Sequence, residues 1–231
     1  SITNNLSTIK REREKIKEEF LLSPHFNVLS YKLSKPETVD LVFDIKDLYN
    51  NEEKQRFYKI FKEKDLLMIE YNHAPSNLLV YVAISYDSGK YEKKDEWIER
   101  KYCFDEERNS TPDCRWVYKG LRLKGVKKIF MAASFSKEQA KEEVRHVADN
   151  INKTEEIKKD YSKKIEDIIS KSFWGKQKEL SSAYCCAVSS LADLTINNRQ
   201  KVGLYAGLPW FFQFWSRDEA ISLKSLMQIK P

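Results

Sequence analysis

The sequence predicts an α+β protein: an antiparallel β-sandwich, then a long linker helix, then the first helices of a larger helical domain. Three observations predict it. Apolar residues alternate with a period of two from residue 26 to 133, between short connections rich in turn formers. At Ser136 the period changes to that of a helix and stays so for most of forty residues. Beyond Gly175 two further apolar helical stripes follow, and the remaining sequence offers little to cover them.

Residues 1–24 are expected to hold an N-terminal surface helix, because over 4–22 dense charge surrounds Ile9, Ile16 and Phe20, and the Ser23-Pro24 pair ends the pattern. The sandwich domain is placed at 25–135. Val39, Leu41, Phe43 and Ile45 alternate with Asp40, Val42, Asp44 and Lys46, the mark of a half-buried strand. Similar runs occupy 56–61, 66–71, 78–85, 97–104, 114–121 and 126–132, separated by KEKD, NHAPSN, DSGK, RNSTPD and LKG. Strands so closely spaced, with no helical pattern between them, favour an antiparallel sandwich over a βαβ sheet.

The linker helix is placed at 136–175. Ser136 and Gln139 form a capping-box pattern, and Ala140, Val144, Val147, Ile151, Ile157, Tyr161, Ile165, Ile168 and Phe173 recur at helical spacing, with a break expected near 150–154. Glu155 with Lys159, Asp160 with Lys164 and Asp167 with Lys171 are spaced for support along a solvated face, so the helix reads as a rigid spacer and its charge as something other than a nucleic-acid site. Residues 176–231 hold a helix over 178–195 with many small residues, and another from Ser216, where Ser216 and Glu219 make a second capping-box pattern. Two such helices cannot make a core of ordinary size, so this part reads as the start of a larger helical domain. The start at Ser1 without Met and the stop at Pro231 are what a fragment or a separately encoded half would show.

Composition narrows the function. The chain has 231 residues, 41% hydrophobic and 33% charged, with a net charge of +6 spread over mixed-sign segments, so it is globular and gives no prompt for nucleic-acid binding. None of the six glycines forms a G-x-G, which removes the dinucleotide fingerprint and the P-loop. No apolar run approaches the ~18 residues of a membrane span, and no hydrophobic signal core opens the chain. A soluble, cytoplasmic protein is expected, with no membrane partner. Cys103, Cys114, Cys185 and Cys186 have no C-x-x-C spacing, and no H-E-x-x-H is present, so no metal site is expected and the thiols read as buried; no organic cofactor is implied either.

The most unusual stretch is YAGLPWFFQFW, with six aromatics in the eleven positions from Tyr205 to Trp215, followed at once by SRDE. With a helix starting there, Arg217 and Asp218 stand at its mouth beside the aromatics. An aromatic wall next to a planar donor fork and a carboxylate acceptor suits a neutral, hydroxyl-rich ligand such as a sugar. The same residues also suit a hydrophobic anchor with a first-turn Asp as dipole partner, and from residue types alone both readings stand. Asp105, Glu106 and Glu107 could also be taken for catalytic carboxylates, but they read better as a solvated acidic run beside a strand.

The string AGLPWFFQFWSRDEAISL resembles the terminal-glucose-binding motif of glucoamylase and amylo-alpha-1,6-glucosidase (glycogen-debranching) enzymes: an aromatic-rich loop running into Trp-x-Arg-Asp and an apolar helix. Trp215, Ser216, Arg217 and Asp218 match the motif, and Gly207, Pro209, Trp210 and Phe211 match its upstream part, whereas Gln213-Phe214 departs from it. The resemblance covers 205–223 in motif and 26–231 in layout. It implies a β-sandwich, a linker helix and an (α/α)6 toroid, with Trp210, Trp215, Arg217 and Asp218 binding the terminal glucose of a glucan or oligosaccharide. It also implies inverting hydrolysis by two carboxyls placed later in the toroid and outside this chain, hence a separate or missing C-terminal helical chain as partner. The alternative is a noncatalytic carbohydrate-binding or assembly subunit that completes an enzyme in trans.

Overall fold

The computed structural model describes residues 1–46, 50–171, 178–198, 201–206 and 214–229. It is a mixed α+β structure with an antiparallel sheet, and it divides into two compact units, Ser1–Lys158 and Lys159–Pro231.

The N-terminal segment is not helical. It forms three antiparallel strands, β1 (Ile2–Asn4), β2 (Ile9–Arg13) and β3 (Ile16–Leu22), with Glu14 at φ 48° in the turn between the last two. The charges that resemble a solvated helix surface instead lie opposite one another across a hairpin: Lys10 faces Glu19, Arg11 faces Glu18, and Glu12 faces Lys17. Opposite charges directly across a ladder stabilise it. Glu18 is the deciding residue, because its side chain is fully buried and takes hydrogen bonds from Arg11, from Arg13 (2.9 Å) and from the Tyr31 hydroxyl (2.6 Å). The Arg11 hydrogen bond does most to hold its carboxyl down to about 2, against the desolvation that would raise it.

Strands β4 (Val28–Phe43), β5 (Arg56–Glu63), β6 (Leu66–His73), β7 (Leu78–Tyr86), β8 (Lys90–Lys101) and β9 (Cys114–Ser134) complete the sheet, with a short helix, α1 (Cys103–Glu107), between the last two. The order is β1-β2-β3-β4-β9-β7-β6-β5, and β8 also pairs with β9. The expected sandwich is therefore one continuous sheet, folded over by two long strands. The first part of β9 pairs with β8 and the C-terminal half of β4, and its last part pairs with β7 and the N-terminal half of β4. The LKG expected as a turn is a bulge inside β9. Gly125 sits there at φ 74°, and the register with β4 shifts between Lys32 and Glu37 and again after Glu37. A bulge adds bend and twist, which carries one strand from one layer to the other.

Between the layers lies the main core, with Leu67, Ile69, Ile84, Leu121, Leu123, Val126 and Ile129 all fully buried. Tyr58 of β5 stacks on Tyr118 of β9 with centroids 4.1 Å apart, although the two strands are not hydrogen-bonded neighbours. Arg56 closes one end of this core. It is 2% exposed, its guanidinium donates to the carbonyls of Ile45, Glu52 and Trp116 and to Asp44, and it lies over the Trp97 ring at 5.0 Å.

The predicted linker helix is two helices, α2 (Lys137–Asp149) and α3 (Ile151–Ser170), parted at Asn150, within the expected break. Its first half is not a free spacer. Ala140, Val144 and Val147 are fully buried against Val28, Leu66, Met68, Ala83, Phe130 and Ala132, covering the outer face of the sheet. Burial of each valine contributes about 1.5 to 3 kcal/mol. Lys137 and Lys141 both reach Glu63, and Arg145 reaches Asp65 at 2.7 Å, so the basic face of α2 is tied to the β5–β6 turn. At its start, Ser136 Oγ accepts the Gln139 N–H, but the reciprocal half of the capping box runs through Ser134, whose hydroxyl accepts the Ser136 N–H and donates to Gln139 Oε1.

In the second unit, Ile165 and Ile169 of α3 bury against Val188 and Cys185 of α4 (Lys178–Leu194). A hairpin that the sequence reading did not anticipate follows, β10 (Thr195–Asn198) and β11 (Lys201–Leu204), and then α5 (Ser216–Ile229). Among the described residues no helix is long and apolar enough to cross a membrane. The four cysteines are free, and the expectation of buried thiols fails: Cys103 and Cys186 are exposed, and Cys114 and Cys185 are half-buried.

Candidate functional site

The loop before α5 is built from its two ends. Tyr205 leaves β11 with its N–H bonded to the Leu194 carbonyl at 3.0 Å, which closes the hairpin onto the end of α4. Phe214 returns at the other end and stacks on Tyr205, with centroids 5.1 Å apart and planes at 25°. Phe214 can lie there because residue 203 is glycine: a Cβ at that position would fall 2.5 Å from Phe214 Cε1. The intervening residues 207–213 carry Gly207, Pro209, Trp210 and Phe211 of the motif and lie outside the described residues, so the expected role of Trp210 finds no geometry here.

Helix α5 starts as the S-x-x-E pattern predicts, but by a different contact. The Glu219 N–H donates to the Trp215 carbonyl at 3.0 Å, and the Glu219 carboxylate accepts the Leu204 N–H at 3.2 Å instead of returning to Ser216. Glu219 thereby ties the first turn of α5 to the hairpin. The S-x-x-E pattern assigns Glu219 a local contact within the helix, and nothing in that pattern points to the hairpin that receives its carboxylate.

Trp215, Arg217 and Asp218 are brought together at this first turn. Trp215 is 43% exposed, Arg217 is exposed, and Asp218 is half-buried. Asp218 Oδ2 is buried and accepts no hydrogen bond from any described residue. Leaving a buried carboxylate oxygen unpaired costs on the order of 1 to 3 kcal/mol or more. The arrangement is an acceptor with open valence, a planar donor neighbour and an exposed indole, which can take hydroxyls and the C–H face of a ring.

Two of the three acidic residues of α1 are otherwise engaged: Asp105 pairs with Arg115 at 2.5 Å and Glu106 with Lys101 at 2.7 Å. Among the described residues no group of three or more His, Cys, Asp or Glu could hold a metal ion. No protein-family model matches the chain, and a search of curated proteins finds no match either.

Proposed function

We propose that this chain supplies the terminal-glucose-binding part of a glucan-hydrolysing glycoside hydrolase of the glucoamylase or glycogen-debranching type, acting in the cytoplasm. Trp215, with Trp210 from the loop, forms the wall against the sugar face. Arg217 donates to a pair of hydroxyls, and Asp218 accepts from others. The observation that carries the reading is the buried, unpartnered Asp218 Oδ2 beside an exposed Trp215 at the start of α5. The hydrolysing carboxyl pair is assigned to a separate helical segment that completes a toroid, where inversion requires two carboxyls about 6.5 to 9.5 Å apart.

A second reading, a noncatalytic carbohydrate-binding or assembly subunit, is favoured by the apolar side chains that α4 and α5 leave uncovered: Leu180, Tyr184, Ile221 and Leu223 are exposed. The two readings share the sugar contact and differ in the chemistry of the completed assembly. Tryptophan fluorescence titrated with glucose and maltose tests that contact. Saturable quenching that weakens at least ~10-fold in Asp218→Asn is expected, and equal binding by the variant would sink the sugar-pocket reading.

A further inference from the structure

Within the first unit, the turn between β3 and β4 and the junction of α2 with α3 form a solvent-open cavity of about 370 Å³, lined by Ser23, His25, Phe26, His146, Asn150 and Lys153 among others, of which His25, His146, Asn150 and Lys153 are exposed. That volume lies within the usual range of small-ligand sites. No Asp or Glu lines it. Its polar side chains are mostly donors: the Lys153 ammonium, the ring N–H groups of two imidazoles, the Ser23 hydroxyl and the Asn150 amide, which gives one N–H to the His146 carbonyl at 2.9 Å and has another left. Two of the carboxylates on the flanking helices are already committed. Glu143 accepts from the Asn27 N–H at 3.1 Å and the Gln139 amide at 2.8 Å, and Glu155 is paired with Lys32.

The walls are held in place. The Phe26 ring lies 4.8 Å from the His146 ring at 48°, which sets the imidazole plane, and Thr154 Oγ1 donates to the Asn150 carbonyl at 3.2 Å. Ser23 is 8% exposed, and its Oγ is buried without a hydrogen-bond partner. An unmet hydroxyl beside a donor-rich cavity points to a missing acceptor.

We infer that this cavity binds a small phosphate monoester. The phosphate oxygens accept from the Ser23 hydroxyl, Lys153, His25 and His146, and the organic part rests on Pro24, Phe26 and Ile157, the apolar share of the lining. Donors from three separate segments suit a tetrahedral oxyanion with three free oxygens better than a planar carboxylate. The inference is independent of the sugar pocket, which lies in the other unit.

The test is a titration of the full chain at constant pH, followed by the histidine ring C–H resonances, with inorganic phosphate, glucose 6-phosphate, glucose and phosphatidic acid vesicles as probes. Saturable shifts at His25 and His146, but not at His73, are expected with glucose 6-phosphate, at least ~5-fold tighter than with inorganic phosphate. Glucose alone should leave these signals unmoved. Lys153→Met should weaken binding ~10-fold or more with the spectrum of the fold unchanged. No saturable shift, equal affinity for inorganic phosphate and the monoester, binding to vesicles alone, or an unaffected Lys153→Met variant would each overturn the inference. Loss of glucose binding in Asp218→Asn would not bear on it.

Discussion

Phe214 lies against Gly203 so closely that an added Cβ would meet Cε1 at 2.5 Å and Cδ1 at 2.7 Å. This contact joins the hairpin to the residue that precedes Trp215, so the geometry of the candidate site depends on a glycine two residues before the motif begins. Gly203→Ala should push Phe214 off Tyr205 and destabilise the second unit by about 1 to 3 kcal/mol, the usual scale of overpacking. Amide exchange at Leu204 should quicken while exchange in β6 stays as it was. Unchanged protection at Leu204 would mean that the ring moves aside without effect.

The Arg217 guanidinium is proposed to hold two hydroxyls at once, which a point charge cannot reproduce. Arg217→Lys should therefore lose nearly as much glucose affinity as Arg217→Ala, both measured by fluorescence titration. Full retention by the lysine variant would reduce Arg217 to surface charge.

Glu18 makes stability depend on pH in a predictable direction. Its carboxyl titrates at about 2 in the fold against an ordinary 4.5, chiefly through the Arg11 hydrogen bond. A depressed folded value means that its contribution is fully present above the ordinary value and disappears as pH falls from about 4.5 toward 2. Glu18→Gln should lower stability near neutral pH by about 2 kcal/mol and flatten the acid limb over that window, read from amide exchange at Leu21 and Tyr31. A variant with the wild-type acid slope would assign the slope to other carboxylates, such as Glu63, which is held at about 2 chiefly by Lys137.

Arg56 spreads one guanidinium over three carbonyls and a carboxylate in a buried position. Arg56→Lys keeps the charge but cannot reach those acceptors together, and should cost about 3 kcal/mol or more. Urea unfolding followed by the circular dichroism of the sheet checks this; a loss below ~1 kcal/mol would show that water fills the vacated positions.

The exposed apolar residues of α4 and α5 should make the chain self-associate or bind a helical partner. Ile221→Lys with Leu223→Glu should reduce hydrophobic-dye binding and shift light scattering toward monomer, with glucose binding retained. Identical scattering before and after would remove this face as an interface.

Residue pattern alone determined most of the local structure. Period-two runs placed β5, β6 and β7 nearly to the residue, and the serine before each new helical stripe placed the starts of α2 and α5, because side-chain alternation and caps are local properties. The aromatic loop followed by Arg217-Asp218 was likewise readable as a candidate site, since it rests on residue types in order. Tertiary structure decided the rest. The 4–22 segment carries opposite charges at spacings that serve a helix face or a hairpin equally well, and it becomes strands because Glu18 is buried between Arg11, Arg13 and Tyr31 as β3 joins β4. LKG became a bulge and not a turn because β4 and β8 hold β9 on both sides there, so the extra residue bends the strand without ending it. The helix at 137–149 packs on the sheet instead of spanning free space because Val144 and Val147 meet an apolar outer face formed by β4, β6, β7 and β9 together. No single segment of sequence displays that face, since it exists only once strands distant in the chain have paired.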